Sequence, residues 1–386
     1  MKKKVLASLL CVAMAATMVV GCGSKAADAP AEDTAKEEAP AEDAAEEEAP
    51  AEDAAEGKDY HFEIIVKSYQ SSYWQAAVKG VEQKAAELGV TVNCTGPNAE
   101  SDIADQVNML NNAINSKPDG IGLAACDQSA CLDALQVAMD AGIPVVCFDS
   151  GIPDAPAGSV LSTVATDNYS AGATAAENLY AGLKDKILAA SAPVRIGEVN
   201  QEATSESIIN RGLGFIDKFA ELAEADGKTV TVIGNEKYVN DSKVEPKDNA
   251  DIIIEVKVPA QTTVELCATE AATIMNQDDT IGMFGSNQVA AEGILTADGN
   301  LGKLGSDPET SILAAGFDAG SVIKGAIKAG TMYGAVTQSP LAMGITTVQT
   351  LFNIANGETV ADVPTEGYWY NADNMEDDSI APNLYD

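Results

Sequence analysis

Between residues 62 and 355 the chain alternates short β-branched runs with longer runs of helical period, and that alternation limits its folds to a few. FEIIV (62–66), VTVNC (90–94), GIGLA (120–124) and PVVCF (144–148) read as strands. The segments between them, WQAAVKGVEQKAAEL, SDIADQVNMLNNAI and SACLDALQVAMDA, place apolar residues three and four apart, the spacing of one helix face. Parallel strands need such crossovers, so the pattern predicts a parallel sheet covered on both faces. The rhythm then repeats, with a helix near 169–183, strand 195–199, helix 206–223, strand 229–233, helix 262–276 and strand 280–284. Strand 311–317, a helix from 319, strand 333–338 and a helix over 341–355 follow. The expected fold class is therefore α/β, with two doubly wound parallel-sheet lobes. The stretch 235–259 breaks the rhythm with charges and Pro246 and reads as an inserted loop or small hairpin on the second lobe.

The N-terminus carries a different kind of information. Lys2, Lys3 and Lys4 precede an uncharged run, Val5 to Val20, that is too short to span hydrocarbon and has the layout of an export leader over residues 1–21. It ends in VVGC, which resembles the bacterial lipobox; this implies lipid on Cys22 as the new first residue. Residues 22–59 then form a tether. Its repeats APAEDTAKEE, APAEDAAEEE and APAEDAAEGK hold nothing to bury, so they cannot offset the entropy of ordering. From residue 25 to 59 it carries 14 acidic and 3 basic residues. Like charges extend such a chain, to about 120 Å at full stretch.

Of the net charge of −36, the leader holds +3 and the tether −11, which leaves −28 from Tyr60 onward and excludes nucleic acid as a partner. Beyond the leader and Cys22, five cysteines remain, and Cys147 and Cys267 lie in apolar runs where cysteine fills core. Cys126 and Cys131 are close enough in sequence to be bridged, but their spacing matches no zinc pattern. The one histidine, His61, borders the tether, so the sequence offers no His-based catalytic or metal site. No cofactor and no catalytic residue are expected.

In open parallel sheets, ligands bind beyond the carboxyl ends of the strands. The residues that follow the strands here are Gln70, Ser71, Ser72, Tyr73 and Trp74, then Asp149 and Ser150, then Asp167 and Asn168 at a crossover. NQEATSES, Asn287 and Gln288, Asp318 and Gln338 come after the later strands. Carboxylates and amides that exchange hydrogen bonds with hydroxyls, set beside aromatic faces, suit a polyhydroxylated solute. No nucleophile–base pair and no phosphate-cradling loop accompanies them.

PDGIGLAACD, AGIPVVCFDSG, ATDNYSAG, NRGLGF, GFDAG and the Gln338 strand together resemble the periplasmic ribose- and galactose-type sugar-binding proteins, type I solute receptors of ABC importers. The resemblance runs from about residue 62 to 370. It implies an N-terminal lobe of residues 60–166 plus 339–365, a C-terminal lobe of 167–338 plus 366–386, and three crossings near 166, 338 and 365. It further implies a monomer that closes on a sugar or polyol and delivers it to a permease with its ATPase; the lipobox-like VVGC would hold it at the outer face of a cell membrane by lipid on Cys22, and Gly23 with the long tether suits a Gram-positive surface. By position, Tyr73 and Trp74 match the aromatic pair that flanks the sugar, with Trp74 expected to face it. Asp149, Asn287, Asp318 and Gln338 match the hydroxyl-binding residues, Asp167 and Asn168 lie at the first crossing, and Gln70 completes the candidate set. Two positions depart from the family. Ile209 stands where a clamping arginine is usual, which leaves Arg211 as a structural arginine, and Gln288 replaces an aspartate. Asp149 and Asp318 also suit caps of the turn or helix after them, and Asp167 and Asn168 a hinge turn. A receptor for a chemosensor or kinase would use the same cleft, as would a binding protein for a non-sugar solute.

Overall fold

The computed structural model describes residues 59–385, and the leader, Cys22 and the tether repeats lie outside those residues. The first half alternates strand and helix as β1 (His61–Ile65), α1 (Ser72–Leu88), β2 (Thr91–Thr95), α2 (Ile103–Ser116), β3 (Gly120–Leu123), α3 (Leu132–Asp140), β4 (Val145–Phe148) and β5 (Ser162–Thr166). The chain continues through α4 (Asn168–Ala189), β6 (Val194–Val199), α5 (Glu206–Ala225), β7 (Val230–Gly234), α6 (Glu236–Asp241), β8 (Ile252–Lys257), α7 (Val264–Met275), β9 (Thr280–Gly285) and α8 (Gln288–Leu301). It ends with β10 (Leu313–Phe317), α9 (Ser321–Lys328), β11 (Gly334–Thr337), α10 (Pro340–Ala355), β12 (Val363–Thr365), β13 (Tyr368–Tyr370) and a 3-10 turn, Ala381–Asn383.

Two sheets result, as the alternation predicts. The first runs β12-β5-β4-β3-β1-β2 and is parallel throughout. The second runs β13-β11-β10-β9-β6-β8-β7 and is parallel except for β13, which lies antiparallel to β11. Strands β3, β4 and β10 are buried at every residue, because helices cover both faces. Trp369 on β13 packs against Tyr333 of the second lobe. The chain passes between sheets after β5, after β11 and between β12 and β13.

Two sequence expectations need correction. Residues 235–259 are neither an insertion nor a hairpin: they supply α6 and β8, and β8 pairs in parallel with both β6 and β7 inside the second sheet. Its alternating burial puts Ile252, Ile254 and Val256 in the core and leaves Glu255 to reach Arg195 at 2.6 Å. The charges that mask the strand lie on its outer face and in the long connection before it. Strand β5, read only as a crossover, is the second, short Ser/Thr strand that the sequence pattern did not mark.

The lobes' helix pairs meet at glycines. A Cβ on Gly172 of α4 would lie 2.0 Å from the Arg211 carbonyl oxygen, and one on Gly344 of α10 would lie 2.1 Å from that of Ala77. Glycine is needed there for close backbone approach. All five cysteines in the described residues are free, including Cys126 and Cys131. Cys147 and Cys267 are fully buried core fillers, and burial pushes each thiol up to about 12.

Candidate functional site

A cavity with an empty volume of about 330 Å³ lies where the strand ends of the two lobes face each other. The first lobe contributes Lys67 beyond β1, Ser71, Tyr73 and Trp74 at the start of α1, Glu100 beyond β2 and Asp149 beyond β4. The second contributes Gln201 beyond β6, Ser207 and Arg211 on α5, Asn287 and Gln288 beyond β9, and Asp318 beyond β10; Gln338 enters from the crossing after β11.

Asp149 is held from two sides. The Tyr73 hydroxyl donates to its Oδ1 at 2.5 Å, and Lys67 Nζ lies 3.3 Å from its Oδ2. Lys67 is itself buried and also donates to Ser207 Oγ across the cleft at 3.0 Å. Burial opposes its charge most strongly, yet the carboxylates of Asp149, Glu100 and Glu202 together outweigh burial and raise the ammonium's pKa. Trp74 donates its indole N–H to Glu100 Oε1 at 2.8 Å, and Gln201 Nε2 donates to Glu100 Oε2 at 2.7 Å. Gln201 Oε1 is buried and accepts no hydrogen bond from the protein. It is an acceptor that borders the cavity.

On the other wall, Asp318 accepts from Gln338 Nε2 at 2.8 Å and from the Gln288 amide at 2.9 Å. It does not cap α9, whose N-cap is Gly320. Burial raises the Asp318 carboxyl above its ordinary range, against the pull of Arg211 and Gln338. Arg211 is fully buried, with Nε and Nη2 on Asn168 Oδ1 at 3.1 and 2.8 Å, Nη1 on the Ser286 carbonyl at 2.9 Å, and its guanidinium 3.7 Å over the Phe317 ring. Those bonds fix it in the wall of the cavity, so it is both structural and site-lining.

Six of the sequence-derived residues, Tyr73, Trp74, Asp149, Asn287, Asp318 and Gln338, thus come together. Tyr73 and Trp74 both border the cavity, where Trp74 was the one preferred to face it. Three residues lie elsewhere. Asp167 is exposed and caps α4 by accepting from Ser170 N at 3.0 Å. Asn168 is buried one layer behind the site, where its only side-chain oxygen is taken by Arg211. Gln70 is exposed and lines the neighbouring groove outside the cavity with Ser68 and Asn98. Gln201 and Ser207 lie in NQEATSES, which the sequence marked only as a stretch, and Lys67 and Glu100 were not singled out. Of the latter two, Lys67 alone left a signal, a lysine directly after a buried strand.

The crossings form one cluster. Thr166 Oγ1 donates to Gln338 Oε1 at 2.9 Å and lies 3.2 Å from Thr365 Oγ1, while the Asp167 amide donates to the Thr365 carbonyl at 3.0 Å. Gln338 therefore joins the crossings to Asp318 in the site.

Two α/β lobes with a polar cleft at their strand ends define a class of bilobal solute receptors. The chain belongs to the periplasmic binding protein domain family, which it matches over residues 62–359, a family of solute receptors and not of enzymes. It is 24% identical over 275 residues to the D-apiose import binding protein of Actinobacillus succinogenes, covering 69% of this chain and 72% of that one. To the D-allose-binding periplasmic protein of Escherichia coli it is 22% identical over 290 residues, covering 74% and 81%. Among solved structures, an ABC transporter solute binding protein from Agrobacterium vitis with bound D-fucose matches with a TM-score of 0.69 at 28% identity, over 84% of this chain and 100% of that one. A carbohydrate transporter solute binding protein from Agrobacterium radiobacter in complex with D-arabinose matches with a TM-score of 0.69 at 25% identity, over 84% and 99%.

Proposed function

We propose that this protein is the sugar-binding solute receptor of an ABC importer, capturing a pentose, hexose or related polyol between its lobes and delivering it to a permease and its ATPase. The observation that carries the reading is the convergence of Asp149, Asp318, Asn287, Gln338 and Gln201 with Tyr73 and Trp74 on one cavity between the sheets. Two cations there, Lys67 and Arg211, face three carboxylates, Glu100, Asp149 and Asp318. Both cations are already engaged by protein groups, so an anionic solute finds no unmatched positive charge. A neutral ring with hydroxyls at its edge and C–H groups on its face fits the set. Any missing hydroxyl leaves a buried acceptor unpaired, at about 1–3 kcal/mol, which gives the site its discrimination. The proteins it resembles are named for D-apiose, D-allose, D-fucose and D-arabinose, which supports the same class.

In this reading the lobes are residues 60–166 with 339–365 and residues 167–338 with 366–386. They open and close as a monomer about the cluster of Thr166, Gln338 and Thr365. Lipid on Cys22 and the acidic tether keep the receptor at the extracytoplasmic face beside its permease. A melting-temperature screen tests the reading, because a solute that binds the folded form raises it by mass action. Using the full chain with Cys22→Ser, one or more of D-apiose, D-allose, D-fucose, D-arabinose and inositol is expected to raise the melting temperature. A shift by an amino acid or nucleoside in place of any of these overturns the assignment.

A further inference from the structure

The last residues of the chain are unused by the site as described, yet they touch both lobes at its edge. Met375 and Ile380 anchor the segment in the second lobe's core. Thr337 Oγ1 donates to the Asn383 carbonyl at 2.7 Å, and Lys324 Nζ donates to that of Tyr385 at 2.8 Å. Beyond those anchors the segment crosses to the first lobe. Pro382, Asn383, Leu384 and Tyr385 face Gln75 and Lys79 of α1 across a shared groove. The Tyr385 ring stands edge-on to Tyr73, with centroids 5.8 Å apart, and packs against the apolar cores of both lobes.

Tyr385 meets the cavity wall at two of its members. Behind Tyr73, it supports the ring whose hydroxyl holds Asp149. Its own hydroxyl donates to Gln288 Oε1 at 3.3 Å. Gln288 Nε2 in turn donates to Ser72 Oγ of the first lobe at 3.1 Å, while its backbone amide binds Asp318. The Gln288 side chain thus links the two lobes, accepting from Tyr385 and exchanging hydrogen bonds with Ser72.

We propose that the C-terminal segment is a strap across the cleft, in which Tyr385 is a positioning residue that sets Tyr73 and Gln288 against the solute and stabilises the closed form. The proposal rests on the solute-receptor reading. When the lobes part, the Tyr385–Tyr73 contact and the Gln288–Ser72 bond must break together, so the strap acts mainly on the rate of opening.

The test uses the full chain with Cys22→Ser as parent and three changes on it: Tyr385→Ala, Tyr385→Phe, and termination after Asn383. Small-angle X-ray scattering without solute measures closure. Stopped-flow fluorescence from Trp74, with D-apiose, D-allose, D-fucose and D-arabinose as probes, measures dissociation. The strap predicts a larger radius of gyration for Tyr385→Ala and for the truncated chain, and dissociation about tenfold faster, with association little changed. Tyr385→Phe keeps the ring and stays within about threefold of the parent. A purely structural role lowers the melting temperature of Tyr385→Ala but leaves scattering and dissociation at 25 °C as in the parent, and that result overturns the proposal. If the parent binds none of the four sugars, scattering alone decides the strap, and the sugar reading is decided separately by the melting screen.

Discussion

Asp149 and Asp318 share a conformation that few residues adopt, with φ of 61° and 74°, each at the carboxyl end of a buried strand. The left-handed region costs most side chains roughly 1–2 kcal/mol, less for Asp and Asn, and such conformations gather at functional sites. This directs the choice of substitution, because alanine would add backbone strain to the loss of the carboxylate. Asp318→Asn is expected to fold like the parent and to bind its solute about 10- to 100-fold more weakly, since hydrogen bonds to charged groups contribute roughly 1.5–3 kcal/mol. Asp149→Asn removes the carboxylate nearest Lys67 and leaves Glu100 and Glu202 to balance the buried ammonium, so the loss is expected below the roughly 3–5 kcal/mol of a fully unpaired buried charge, at about 2–3 kcal/mol. By calorimetry it should melt about 3–6 °C below Asp318→Asn. Equal melting temperatures would show that the Lys67–Asp149 pair is not structural.

The same carboxyls give binding a pH dependence. Burial raises Asp318 and Glu100 above their ordinary values of 3.8 and 4.5. Sugar hydroxyls donate to the ionised form, so protons compete with solute. Affinity should hold above the raised pKa values and fall as pH drops through them, beginning above the ordinary carboxyl range. The stability of the solute-free protein moves the other way. A carboxyl whose folded pKa is raised adds stability below its unfolded pKa and loses it as pH rises through the folded one. Titration calorimetry across mildly acidic pH checks the sign, and Asp318→Asn should lose its share of the dependence.

At the scale of elements, the crossing of α4 and α5 places the site. Gly172 abuts the backbone carbonyl of Arg211, so a methyl group there forces α5, and with it Arg211, to shift. Gly172→Ala is expected to cost about 1–3 kcal/mol and to weaken binding as well, as melting and titration together would show. A stable variant with unchanged affinity would mean that α5 does not position Arg211. Most elements were legible in the sequence because burial on both faces writes a strand as a plain apolar run, as in PVVCF. Strand β8 hid because only Ile252, Ile254 and Val256 face the core. Asp149 and Asp318 were visible as carboxylates that follow such runs. Lys67 and Glu100 were not, because a charge beside a strand end reads as solvated until the opposite lobe is placed over it. Asp167 was misplaced for a related reason: a residue at a crossing is close to the cleft in sequence, but its side chain turns back to cap α4.

At the scale of the whole molecule, the proposed receptor joins its domain to a membrane through the N-terminal residues. The segment before the acidic domain holds no branched aliphatic or aromatic residue from 25 to 59, and the proposal assigns it to reach. Expressed in a bacterial host with labelled palmitate, the parent chain should take up label and fractionate with membranes, and Cys22→Ser should do neither. Label retained in the Cys22→Ser chain would place the anchor elsewhere. The central claim, that the cleft between the sheets holds a neutral polyhydroxylated solute through Asp318 and its neighbours, is tested most directly by isothermal titration. The full chain with Cys22→Ser would be titrated with D-apiose, D-allose, D-fucose and D-arabinose, alone and with Asp318→Asn. Saturable heat with one sugar per chain, lost or strongly weakened in the Asp318→Asn chain, is the predicted result. A sugar bound equally well by both chains, or saturable heat only from a solute without hydroxyls, would contradict it.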